Sequence, residues 1–197
     1  MLRENYERQL QRLQDELLIM GSMVQKAIID SVEYLKERNF EGSRRLIAED
    51  AILNKKRFDI EGDTLALIAT QQPMARDLRT LAAILEITTE LERIGDYAKG
   101  ISRINLMLGP KPLLKPLVDI PRMAEKGVDM LRRALEAFIR QDAEAAAAIP
   151  HEDDGSTRST TRSTASFSPS SSEIPAPWSR PTISSGRPTT WSAQQIG

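Results

Sequence analysis

Tyr6, Leu10, Leu13, Leu17, Met20, Val24, Ala27, Ser31 and Leu35 recur in alternating steps of four and three, an a/d seam held for more than four heptads. A helix of that length carries one apolar stripe that it cannot bury by itself. It requires partner helices, and the sequence supplies them. Asn39-Phe40-Glu41-Gly42 breaks the pattern, and Ser43 is placed to cap a second helix running to about Thr70. Its inward row is expected to be Leu46, Ile47, Leu53, Phe58, Ile60, Leu65 and Ile68. Gln72-Pro73 ends that helix, because proline lacks the donor and disfavours helical geometry in the residue before it. A third helix continues to about Leu106, with Leu78, Leu81, Leu85 and Thr88 on its seam. Three long helices with short connections close as an antiparallel bundle, so the predicted class is all-α, with residues 1–108 as the first unit.

Leu108-Gly109-Pro110-Lys111-Pro112, followed by Pro116 and Pro121, reads as a linker over 109–121. A fourth helix is expected after Pro121 and up to about Gln141, with Met123, Val128, Leu131, Leu135 and Phe138 inward. Moved back by 103 positions, this segment overlies the first helix: Met123 falls on Met20, Leu135 on Val32, Glu136 on Glu33, Phe138 on Leu35, and Glu152-Asp153 on Glu49-Asp50. A recurrence at one offset implies two copies of a three-helix unit, the second begun at 122–154 and incomplete.

The chemistry concentrates in Thr88–Ile101, T-T-E-L-E-R-I-G-D-Y-A-K-G-I. On a helix, Glu92 and Asp96 stand one turn apart on the same face, with Gly95 beside them. Like charges at that spacing cost roughly 0.2–0.5 kcal/mol. The steps from Leu78 through Leu81, Leu85 and Thr88 lead to Glu92 and Gly95, so the carboxylates are expected to continue a packing seam. Oxygen ligands converging there suit hard or borderline cations such as Mg, Mn or Fe. The plainer reading is a solvated acidic face satisfied by neighbours such as Arg93. The internal recurrence marks Glu49-Asp50 as second-helix carboxylates positioned to face Glu92 and Asp96.

Two blocks carry a resemblance: Leu67-Ile68-Ala69-Thr70-Gln71-Gln72-Pro73-Met74-Ala75-Arg76-Asp77-Leu78-Arg79, and then Glu90-Leu91-Glu92-Arg93-Ile94-Gly95-Asp96-Tyr97-Ala98. From about Tyr6 to Asp154 the chain resembles the PhoU family of phosphate-transport accessory regulators. The resemblance implies two tandem three-helix bundles and a cytoplasmic, non-enzymatic negative regulator. Such a protein couples the ATPase of a phosphate ABC transporter to a sensor histidine kinase, and is expected as a homodimer. It also implies a divalent or trivalent metal ion (Mg, Mn, Fe or Zn) held by Glu92, Asp96, Asp50 and Asn54. Gln71, Gln72, Asp77, Arg79, Arg93 and Gly95 belong to the motifs without an assigned role; Asp77 and Arg79 equally suit a helix-start cap and a surface pair.

Composition narrows the alternatives. The part before residue 156 carries 23 basic and 27 acidic residues, a net charge of -4, without the basic face of a nucleic-acid binder. There is no cysteine, hence no disulfide framework and no Cys-based zinc site. The N-terminus is charged from its third residue, unlike a signal peptide, and no run approaches the roughly 18 apolar residues of a membrane span, so a membrane role is expected only through partners. A ferritin-like di-metal oxidase requires E-x-x-H pairs, yet the single histidine, His151, has no Glu three residues before it. The remaining alternatives are a metal-binding or scaffolding bundle without a phosphate role, pairing through its heptad seams, and a truncated, non-functional variant.

After Asp154 the text changes. Residues 155–197 contain no Leu, Val or Lys, are rich in Ser, Thr, Pro and Arg, and hold both tryptophans; such a tail is expected to be disordered. It also reads as a second repeat out of frame. With the frame one base earlier, a TCN serine codon supplies NTC, always Phe, Leu, Ile or Val. Ser156 onward then permits V-D-A-L-Y-N-Q-V-Y-R-E-L-L-S-F-I, an amphipathic helix, and Gly186–Gly197 permits A-A-H-N-L-E-R-x-A-D-R, a second L-E-R-x-x-D. Sequencing the coding DNA across codons 150 to 160 is expected to reveal an additional base there. Unaltered DNA together with an intact mass of 22.1 kDa would instead establish a truncated second repeat.

Overall fold

The heptad pattern of the N-terminal segment forms one helix, α1 (Leu2–Glu37), followed by α2 (Phe40–Gln71) and α3 (Arg76–Leu108), which pack mutually as an antiparallel three-helix bundle. A shorter helix, α4 (Asp119–Arg140), lies along α1, and a one-and-a-half-turn helix, α5 (Ala143–Ala148), leads into a single 3-10 turn at Ile149–Glu152. The computed structural model describes residues 2–110, 113 and 117–152; the expected disordered tail, its out-of-frame reading and part of the linker lie outside the described residues. No described helix is long and apolar enough to cross a membrane.

The α1 seam is as the spacing predicts: Tyr6, Leu13, Leu17, Met20, Val24, Ser31 and Leu35 are buried, with Leu10 and Ala27 half-buried. On α2 the buried row is Leu46, Leu53, Ile60, Thr64 and Leu67. Phe58 and Leu65, expected inside, point outward, Phe58 being 61% exposed. A heptad stripe through Leu46, Leu53, Ile60 and Leu67 leaves a residue two positions before Ile60 on the opposite side of the helix. Phe58 instead lies under the Arg57 guanidinium, 5.5 Å from its ring centroid. On α3 the row is Leu81, Ile84, Thr88, Leu91, Gly95, Ala98, Ser102 and Asn105. Leu78 is exposed and Ile84 rather than Leu85 is buried, because the stripe passes through Leu91 and Gly95 rather than through Glu92.

Helix ends follow local chemistry. Asn39, not Ser43, caps α2, its Oδ1 accepting from the Gly42 amide at 2.8 Å. Ser43 is buried one turn in and serves a polar node instead. Gln72 adopts a left-handed conformation (φ 46°), its amide donating to the Ile68 carbonyl at 3.0 Å, and this closes α2 immediately before Pro73. Helix α4 starts at Asp119, earlier than expected, because Pro121 falls in its first turn, where a missing amide proton costs nothing. It docks on α1 through Leu131, Leu135 and Phe138; Gly21 provides the seat, since a Cβ there would overlap Leu135 Cδ1.

One buried polar node joins the α1–α2 turn to the end of α3. The Asn105 side chain, fully buried, donates to the Tyr34 carbonyl and the Ser43 hydroxyl, both at 2.9 Å, and accepts from Arg38 Nη1 at 2.8 Å. Arg38, itself left-handed (φ 59°), also donates to the Gly109 carbonyl. Removing Asn105 strands several buried partners, so Asn105→Ala is expected to destabilise the bundle by about 3 kcal/mol in urea unfolding.

Candidate functional site

Helices α2 and α3 run in opposite directions in one uninterrupted register. Ser43 meets Asn105, Asp50 meets Lys99, Leu53 meets Gly95, and Arg57 meets Glu92. Gly95 fixes the spacing: a Cβ at that position would overlap Leu53 Cδ2, so the missing side chain lets the Leu53 methyl rest on the α3 backbone. That close approach brings side chains one turn to either side within ion-pairing reach.

Toward the α2 N-terminus, Lys99 Nζ lies 2.5 Å from Asp50 Oδ2 and 3.4 Å from Asp96 Oδ1. The Asp50 side chain is only 10% exposed and that of Lys99 19%, whereas Asp96 is 51% exposed. Asn54 Nδ2 donates to both the Asp50 carbonyl and Asp50 Oδ2, each at 3.1 Å. With acceptors on both bonds, the amide nitrogen is the end turned toward Asp50. The Asp50 hydrogen bond is the largest influence raising the Lys99 pKa above the ordinary lysine value, so the ammonium stays charged. Toward the other end, Glu92 Oε2 faces Arg57 Nη1 at 3.3 Å, and Arg57 Nε donates to Glu61 at 2.7 Å. Glu92, with a side chain 18% exposed, flanks the seam rather than lying in it. Acidic and basic groups thus alternate across the interface, and the like-charge cost expected of Glu92 and Asp96 is offset by separate cations.

Of the ligand set expected from sequence, Asp50, Asn54 and Asp96 come together around Lys99, while Glu92 is held apart by Arg57. Among the described residues no three Asp, Glu or His side chains converge as a metal cluster. The donor chemistry is that of a hard cation, but the nearest oxygens already face an ammonium, a guanidinium and the amide of Asn54. As arranged, these residues do not fit a resident metal.

The other motif residues are placed individually. Arg93 pairs with Glu90 at 2.9 Å, not with Glu92. Asp77 sits in the first turn of α3, where its charge, together with burial as the larger cause, raises the Tyr6 phenol above its usual range. Arg79 is exposed, and Gln71 and Gln72 form the α2 terminus. Lys99 and Arg57 were not singled out by the motif reading. The only hint was spacing: Lys99 follows Asp96 by three residues, within reach on one helix face.

The chain is similar to known proteins in sequence and fold. The sequence pattern of the PhoU domain matches residues 17–104, which takes in most of α1, all of α2 and nearly all of α3. The phosphate-specific transport system accessory protein PhoU homolog of Clostridium acetobutylicum is 33% identical over 155 residues, spanning 78% of this chain and 71% of its own. The Aquifex aeolicus homolog is 33% identical over 147 residues, 75% of this chain and 66% of its own. The Escherichia coli protein is 30% identical, with 61% of its length covered. The crystal structure of PhoU from Pseudomonas aeruginosa superposes with a TM-score of 0.72 at 27% identity, covering 82% of this chain and 79% of that one. The phosphate transport system regulatory protein PhoU from Streptococcus pneumoniae gives 0.70 at 26% identity, with 76% and 70% covered. Fold and seam together define an all-α bundle protein with an ion-paired α2–α3 interface. The chain belongs to the PhoU family, and it spans about two thirds of the length of the curated relatives it matches.

Filling the close approach should cost stability in a specific way. Gly95→Val is expected to destabilise by about 1–3 kcal/mol through overpacking, and Leu53→Ala in the same chain should recover part of that loss. Denaturant midpoints of the two single variants and the double variant measure the effect.

Proposed function

We propose that this chain is a non-enzymatic regulator of phosphate uptake that acts by protein contact. It bears on a phosphate ABC transporter ATPase and a sensor histidine kinase, and holds phosphate-starvation signalling off when phosphate is plentiful. The observation that carries the reading is the similarity to accessory proteins of the phosphate-specific transport system, with the PhoU domain pattern matching residues 17–104. The surface supports action through partners: Phe58 and Leu65 on α2 and Tyr97, Ile104 and Met107 on α3 are large apolar side chains left in solvent. The reading includes a cytoplasmic location and a homodimer.

The second repeat belongs to this proposal as well. Matches to the relatives run over 147 to 155 residues, about the length of chain before the change of text at Gly155. On this reading the full regulator is the in-frame protein, with a completed second bundle and its second L-E-R-x-x-D.

A bacterial host deleted for its own PhoU and carrying a phosphate-starvation reporter tests both parts. The in-frame protein is expected to restore repression in high phosphate, and the chain as written to restore little. A silent in-frame protein, present at normal abundance and failing to co-purify with the transporter ATPase, would sink the regulatory reading. Full repression by the chain as written would show that the second repeat is dispensable.

A further inference from the structure

The resemblance implied a metal on the acidic seam, but the arrangement of donors points elsewhere. We propose that Lys99 is the resident cation of the α2–α3 seam: its ammonium stands between Asp50 and Asp96 where a hard cation would sit, and the first bundle assembles without metal.

Three observations carry this. First, the ammonium crosses from α3 to Asp50 on α2 at 2.5 Å while keeping a contact with Asp96, one turn away on its own helix, at 3.4 Å. A lysine is a compact charge with three rotatable donors, and so can serve two carboxylates from one point. Second, the site is partly withdrawn from water at its α2 side, where the Asp50 side chain is 10% exposed, and the Asn54 amide nitrogen donates to the same oxygen and to the Asp50 carbonyl. Asp50 Oδ2 thus already faces an ammonium and a neutral amide donor. Third, the neighbouring carboxylate that would have to complete a ligand set, Glu92, is engaged by Arg57. A divalent ion arriving at Asp50 would meet a like charge at short range and find too few free oxygens for its coordination shell. Ammonium and metal are therefore mutually exclusive here, and removing the ammonium should expose a latent cation site built on Asp50 and Asp96.

Manganese titration of the full chain, followed by loss of the free-ion electron paramagnetic resonance signal, tests this. Any manganese held by other acidic groups of the chain forms a constant background. For the wild-type chain, Asp50→Asn is expected to leave the titration unchanged. Lys99→Met is expected to add one saturable site at least about tenfold tighter than that background, and Asp50→Asn in the same chain should remove it. Lys99→Gln, a smaller neutral change, carries the same expectation should Lys99→Met fail to fold by circular dichroism, and Lys99→Arg should behave as wild type. A wild-type titration weakened by Asp50→Asn would show that metal displaces Lys99 and would overturn the proposal. So would a folded neutral variant that gains no Asp50-dependent site.

Discussion

The distance between α2 and α3 sets nearly everything else in this molecule, and it is fixed where Leu53 rests on the bare backbone of Gly95. Helices separated by ordinary side chains lie 8–10 Å apart. A glycine at the contact permits closer approach, and the closer approach selects which side chains can reach across. Asp50 and Lys99 on one side of the contact, and Arg57 and Glu92 on the other, are its immediate consequences. An apolar seam alone tolerates rotation or sliding of one helix by a turn. A slip of one turn in one direction would set Asp50 against Asp96, so the ionic pattern adds to the register that the Leu53–Gly95 contact sets.

Much of this was legible in the sequence. The α1 heptads, the proline break after α2, the third long helix and the buried role of Gly95 all follow from spacing and turn chemistry. Where the reading failed, the cause was an ambiguity of phase. Leu46, Leu53, Ile60 and Leu67 share one face of α2, but Phe58 and Leu65 are equally apolar, and hydrophobicity alone does not say which stripe meets the neighbours. The same ambiguity placed Leu85 and Leu78 inside α3 instead of Ile84. Ser43 is a good cap by residue type, yet Asn39 took that role and left Ser43 to the interior.

The acidic seam shows a different limit. Sequence places Glu92 and Asp96 correctly on adjacent turns of α3 and brings Asp50 to the facing helix. It does not say what lies between them. A long, flexible lysine can project into a carboxylate cluster or away from it, and the choice depends on an interhelical distance that no local pattern encodes. Membership in the PhoU family fixes the scaffold over α1 to α3 more firmly than it fixes the contents of this seam.

The Asn105 node has a bearing on the rest of the chain through its outermost member. Arg38 holds the Gly109 carbonyl, the first peptide beyond α3, while its neighbours hold the α1–α2 turn. The end of α3 is therefore moored where α1 finishes, and α4 packs along α1. A protein that grips the end of α3 would pull on a half-buried guanidinium and a fully buried asparagine amide. The node turns the C-terminal end of α3 into a firm anchorage for whatever pulls on it.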